Sequence, residues 1–190
     1  MATGETPQPG DGDVVEFLLS QHREAEQLFA EVRQGIGETR RHAFEHLVQL
    51  LAVHETAEEE VVYPVLRTLG DDGDRIADAR TDEESQAKEV LSDLESTDLA
   101  TSEFDEKLTS FQQLVVAHAR NEEQEVFPLL RQTQTADRLQ QMREAVRAAE
   151  AVAPTHPHPH APESAVGNIV LGPFVAVVDK VRDAIRRARR

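Results

Sequence analysis

From Asp13 onward, apolar residues recur at spacings of three and four. Val15, Leu18, Leu19, His22, Ala25, Phe29 and Val32 fall on one face, which predicts an amphipathic helix with Asp13 as its N-cap. "QGIGET" breaks that pattern. A second helix is predicted over about residues 39–69, with Leu47, Leu50, His54, Glu58, Val61 and Val65 on one side. "GDDGD" is the next break, and a third helix follows over about residues 75–95 with Ile76, Ala87, Val90, Leu91 and Leu94. "STDLATSE" separates it from a fourth, over about residues 103–131, with Leu108, Phe111, Val115, His118, Glu122, Val126 and Leu129. No β-branched stretch alternates with period two. Four long amphipathic helices with short breaks predict an all-α fold, an antiparallel four-helix bundle over residues 13–132.

The flanks read differently. Residues 1–12 are rich in Gly, Pro and Thr and are expected to be disordered. Residues 133–153 hold a short helix with Leu139, Met142, Val146 and Ala149 on one side. "APTHPHPHAP" predicts an extended Pro/His-rich linker over residues 154–162, because proline disfavours helix in the residue before it. Residues 163–190 end in an amphipathic helix carrying Phe174, Val177, Val181 and Ile185. Its basic tail, "RRARR", suits the negative end of a helix dipole. The bundle is therefore expected to carry a C-terminal helical extension.

Two of the apolar faces contain a histidine and a glutamate four residues apart. "LLAVHETAEEEVVYPVLR" (residues 50–67) aligns without gaps on "LVVAHARNEEQEVFPLLR" (residues 114–131), matching His54 with His118 and Glu58 with Glu122. "HREAEQLFAEV" (residues 22–32) aligns on "ESQAKEVLSDL" (residues 84–94) through its apolar positions, matching His22 with Glu84. The first two helices thus read as a duplicate of the third and fourth. Residues four apart on a helix are neighbours, so each HxxxE aims an imidazole and a carboxylate at the bundle axis. A pseudo-twofold gathers His22, His54, Glu58, Glu84, His118 and Glu122. Unpaired buried carboxylates are costly, and a pair of divalent cations removes the cost. Mixed imidazole and carboxylate donors suit iron, manganese or zinc. Three glutamates, two ferrous ions and one bridging hydroxide sum to zero charge. Six protein ligands leave open positions on two six-coordinate metals for O2, peroxide or water.

Other polar residues have plainer readings. Glu55, Glu59 and Glu60 read as a solvated face, with Glu55 bordering the site. Tyr63, the single tyrosine, aligns with Phe127 and reads as core packing. His42 and His46 are also four apart and offer a lesser zinc pair. His156, His158 and His160 alternate with prolines and are expected to lie outside the buried centre.

Composition narrows the classes. Hydrophobic residues make up 39% and charged residues 29%, enough for a folded core. The net charge of −16 argues against nucleic acid and anionic membranes. The absence of cysteine excludes disulfides and thiolate metal sites. The first residues lack the basic and apolar regions of a signal peptide, and no apolar run is long enough to span a bilayer. A cytoplasmic location is expected.

The order His…HxxxE…(His or Glu)…HxxxE, with a proline after each HxxxE, resembles the hemerythrin-like, HHE cation-binding domain family. The resemblance covers about residues 13–132. It implies a non-heme di-iron centre with bridging carboxylates, here Glu58 and Glu122, and O2, peroxide or NO as ligands. Two departures point away from reversible O2 carriage. Oxygen carriers supply two histidines four apart from the third helix, where this chain has Glu84 and Lys88. Their fourth helix has a longer His-to-Asp spacing, where this chain has HxxxE. The Glu-x-x-His tetrad of ferritin-like proteins is absent. The expectation is a di-iron protein reacting with O2 or peroxide, with oxidase- or peroxidase-like activity left open. A non-catalytic iron or oxygen sensing module and a zinc-stabilised structural bundle are the alternatives.

Overall fold

The computed structural model describes residues 12–151. The expected Pro/His linker and terminal helix, and all but the last residue of the expected N-terminal tail, lie outside these residues. Helices follow in the order α1 Val14–Gln34, α2 Gly37–Ala57, a π turn Glu58–Val62, α3 Tyr63–Arg67, α4 Asp71–Glu95, α5 Ser102–Asn121, a second π turn Glu122–Val126, α6 Phe127–Thr133 and α7 Ala136–Glu150. There is no strand among the described residues. Each π turn joins its two α segments into one rod, so the bundle has four long rods, and α7 is a fifth helix. α1 packs chiefly on α2, and α4 on α5, as the two duplicated hairpins. α7 crosses α1, α2 and the first π turn.

The caps are chemical. Asp13 accepts from the Glu16 amide at 3.0 Å, and Thr101 and Thr135 cap α5 and α7 in the same way. α4 begins four residues earlier than expected. A short turn, residues 68–70, ends with Gly70 at φ +87° and separates α4 from α3. Asp71, Asp72 and Asp74 form the first turn of α4, where the positive end of the helix dipole favours acids. The acidic run is thus a helix start and not a loop.

The π turns have a covalent cause. Pro64 and Pro128 lack an amide hydrogen, and their rings crowd the carbonyl four residues back. The helix widens instead, so that Tyr63 N–H bonds the Glu58 carbonyl and Phe127 N–H bonds that of Glu122. Each proline then sits in the first turn of the resumed α-helix, where no donor is needed.

The core has two apolar parts. Val14, Leu18, Val62, Leu66, Met142 and Val146 pack at the α7 end. Phe29, Leu47, Leu94, Phe104, Leu108 and Phe111 pack at the other. Between them lies a buried polar layer.

Candidate metal centre

That layer contains all six residues picked out by the duplication, each buried. His22 comes from α1, His54 from α2, Glu84 from α4 and His118 from α5; Glu58 and Glu122 open the two π turns. His54 Nε2 lies 3.2 Å from Glu58 Oε2, and His22 Nε2 lies 3.3 Å from Glu122 Oε2. His118 Nε2 is 3.5 Å from the same Glu122 oxygen and 3.9 Å from Glu84 Oε1. His22, His54, Glu58 and Glu122 each offer a donor atom within 4.8 Å of the others, and so do Glu58, Glu84 and His118. Glu58 belongs to both groups.

The layer is short of hydrogen bonds. Both Glu58 oxygens, Glu84 Oε2, Glu122 Oε2, His22 Nε2 and His118 Nε2 are buried without a hydrogen-bond partner, though Glu58 Oε2, Glu122 Oε2, His22 Nε2 and His118 Nε2 make the close charge contacts above. Leaving a buried polar atom unpaired costs about 1–3 kcal/mol. The donor set is all imidazole and carboxylate. These features fit divalent cations, which would satisfy the orphaned atoms together.

The other face of each imidazole is fully accounted for. His54 Nδ1 bonds Gln21 Oε1 at 2.9 Å, His118 Nδ1 bonds Glu83 Oε2 at 3.1 Å, and His22 Nδ1 bonds Glu123 Oε1 at 3.0 Å. Such an acceptor holds the proton on Nδ1 and leaves the Nε2 lone pair facing the centre. Gln21 and Glu83 are equivalent under the duplication, so the repeat extends to the supporting residues. Glu83 is itself held by Arg80 and Asn121, both at 2.8 Å. Gln21 donates to Glu150 Oε1 on α7 at 2.6 Å, which ties the fifth helix to His54.

Three expectations need correction. Tyr63 is buried, but it does more than fill space. Its hydroxyl donates to Glu84 and lies 3.2 Å from Glu122 Oε1. The equivalent Phe127 stacks on His22, with ring centroids 5.6 Å apart. Each aromatic therefore meets the residue contributed by α1 or α4, and the signal was the one hydroxyl that breaks the Tyr63–Phe127 match. Glu55 is not on a solvated face: it is buried and lies 3.6 Å from Lys88. Glu59, partly buried, is 2.7 Å from the same ammonium. Lys88 also reaches Glu84 at 3.6 Å, so a cation links Glu59 to Glu84 where the other half uses His22 to link Glu123 to Glu122. His42 and His46 are exposed, with His42 Nδ1 3.6 Å from Glu45 and His46 Nε2 3.7 Å from Glu24.

Burial and neighbours set the protonation. Burial, then Glu122 and Glu84, lifts Glu58 well above the usual carboxylate range; burial, then Glu55, does the same for Glu84. Burial would also raise Glu122, but His118 and His22 prevail and hold it at about 2. Burial pushes His54 down to about 3, helped by His22. For His22 and His118 burial acts downward, and the surrounding carboxylates overcome it and raise both. Burial lifts Glu55 to about 7 against the pull of Lys88. Without metal, the layer carries on its carboxyls protons that cations would displace.

A helical bundle that gathers three imidazoles and three carboxylates in one buried layer defines a class, the cation-binding bundles. The sequence model of the hemerythrin HHE cation-binding domain matches residues 13–130, and the chain belongs to that family. A hemerythrin-like protein of Schizosaccharomyces pombe is 31% identical over 138 residues, 72% of this chain and 68% of that protein. A DNA nickase of Nostoc is 26% identical over 141 residues, 74% of this chain but only 40% of that protein. The crystal structure of a hemerythrin HHE cation-binding domain-containing protein from Mycobacterium kansasii superposes with a TM-score of 0.66 at 20% identity, covering 93% of this chain and 98% of that one. It supports the fold. No helix among the described residues is long and apolar enough to cross a membrane.

Proposed function

We propose that this chain is a non-heme di-iron protein that reacts with O2 or peroxide. In this reading His22, His54, Glu58 and Glu122 would hold one metal, and Glu58, Glu84, His118 and Glu122 would hold the other. The observation that carries it is the pair of buried, unsatisfied donor groups sharing Glu58. When bound, two irons supply two electrons and open coordination positions. The chain's own residues do the rest. Gln21, Glu83 and Glu123 orient the imidazoles. Tyr63 fixes Glu84 through its hydroxyl. Glu55, lifted to about 7 beside Lys88, can hold or give up a proton at its carboxyl oxygen near neutral pH.

A second reading, a non-catalytic sensor, is favoured by one observation. The run His54–Gln21–Glu150 joins the centre to α7, so occupancy of the centre bears on the helix that leads to the C-terminal segment. The nickase activity in the Nostoc relative's name is not carried over, because the net charge of −16 opposes phosphate binding.

Metal analysis of protein produced with ample iron should find two irons per chain, and the oxidised protein should absorb in the near ultraviolet. One metal, none, or zinc alone overturns the di-iron reading. Turnover of added peroxide supports the enzyme; occupancy without turnover supports the sensor.

A further inference from the structure

A cavity of about 280 Å³ runs inward between α1 and α5 and ends at the buried centre. His22, His54, Glu55, Glu84 and His118 form its floor. Ala25, Phe29, Leu50, Leu51, Ala87 and Val115 form its walls. Arg23, Glu26, Arg120 and Glu123 stand exposed at its rim.

The duplication explains the space. Ala25 follows His22 by one helical turn on the same face, and Ala87 follows Glu84 in the same way. Both halves thus place a methyl group where a larger side chain would fill the layer beside the centre. Protein interiors are otherwise packed with few voids larger than a water molecule. A dry cavity of about 150 Å³ already accommodates benzene. This one is larger, far beyond what a diatomic gas or hydrogen peroxide needs.

Charge restricts the occupant. Two arginines and two glutamates give the rim no net charge. The apolar walls penalise any unpaired charge, cationic or anionic. An uncharged body fits, with one polar end at the Glu55 carboxyl and the imidazoles.

We propose that this cavity binds an uncharged organic molecule with an apolar body of roughly six to eight carbons, scaled from benzene-sized cavities, and a terminal hydroxyl or hydroperoxyl group facing the floor. Binding depends on the cavity alone. One clause rests on the function proposed above: for a centre that handles peroxide, the relevant member of this class is an alkyl hydroperoxide.

The test uses 1-hexanol as probe on the full chain, metal-free and zinc-loaded so that no redox chemistry intervenes, followed by calorimetry and NMR. Saturable one-to-one binding is expected, and on the metal-free chain, where no ion can ligate the probe, hexanoate and hexylamine should be weaker by about tenfold or more because a charge must be desolvated. Ala25→Phe, and separately the milder Ala119→Leu on the cavity wall, should each weaken hexanol by about tenfold or more by occupying its space. Circular dichroism selects the variants that keep the native helix content. No saturable binding overturns the proposal, as does hexanoate or hexylamine binding the metal-free chain as tightly as hexanol, or folded variants that bind hexanol as the parent does. Metal content is measured in parallel: hexanol binding without metal binding overturns the di-iron reading and keeps this one, and the reverse result does the opposite.

Discussion

Tyr63 is the residue with the most to reveal, because its hydroxyl donates to the buried Glu84 carboxyl, which Lys88 also reaches. Tyr63→Phe should destabilise the metal-free protein by about 1–3 kcal/mol, the cost of a buried acceptor losing its donor. The loss should shrink once metal is bound, and urea unfolding of both forms measures it. The alignment with Phe127 hid this role, since an alignment matches ring shape and cannot show where a hydroxyl ends. The six centre residues were legible because a polar residue inside an apolar helical face, repeated in register, has few explanations. Glu55 was not, because Glu55, Glu59 and Glu60 together look like a solvated face until Lys88 from the facing helix is placed among them. The same carboxyls give a pH prediction. Glu55, Glu58 and Glu84 have raised values in the folded, metal-free state. Their stabilising contribution is complete below the unfolded value and is lost as pH rises through the folded one. His22 and His118 are raised and act in the same direction. His54, pushed down to about 3, acts oppositely, but only below its ordinary value of 6.5. From about pH 6.5 upward, therefore, the metal-free protein should lose stability, by up to about 1.4 kcal/mol per pH unit for each proton released. Metal binding should release protons and tighten over the same range. Thermal melts and a zinc titration in weakly buffered indicator dye check the two halves of this prediction.

At the scale of elements, the four rods and the breaks after α1 and α4 were legible in the sequence; the start of α4 and the widening within the rods were not. Asp71, Asp72 and Asp74 resemble loop residues by composition; their stabilisation comes from the dipole of the helix they begin, which exists only once that helix has formed. Pro64 and Pro128 marked a disturbance in each rod, but the spacing of side chains does not say whether a helix kinks or widens. A π turn amounts to one extra residue in an α-helix. Deleting the exposed Gln124 from the second π turn together with Pro128→Ala, which removes the ring that forces the widening, should let the helix run through in α form with apolar faces on both sides of the deletion still inward. The helix content by circular dichroism should stay near that of the parent. The Glu122 carboxylate should no longer meet both His22 and His118, and metal content should fall. A deletion variant with full metal content would show that the widened turn does not position Glu122.

At the scale of the whole molecule, α7 closes the apolar end of the bundle and also touches its chemistry. Glu150→Ala should leave the apolar packing of Leu139, Met142 and Val146 in place while releasing Gln21. Removing a direct partner of a ligating histidine costs about 10–100-fold in metal affinity, and Glu150 is one step further out. A loss of less than about tenfold, with faster metal dissociation seen by chelator competition, is the expected outcome. The larger consequence lies in the unlike pairs across the pseudo-twofold: His22 against Glu84, Gln21 against Glu83, Phe127 against Tyr63 and the added ammonium of Lys88. Were the two hairpins separate, identical chains meeting as a symmetric dimer, every coding change would appear in both at once. A histidine gained on one side would be gained on the other, and the two seats could never differ. Joining both hairpins in one gene frees each from its twin. The covalent link between α3 and α4 is thus a heritable licence for asymmetry, because it lets a single mutation alter one seat and spare the other.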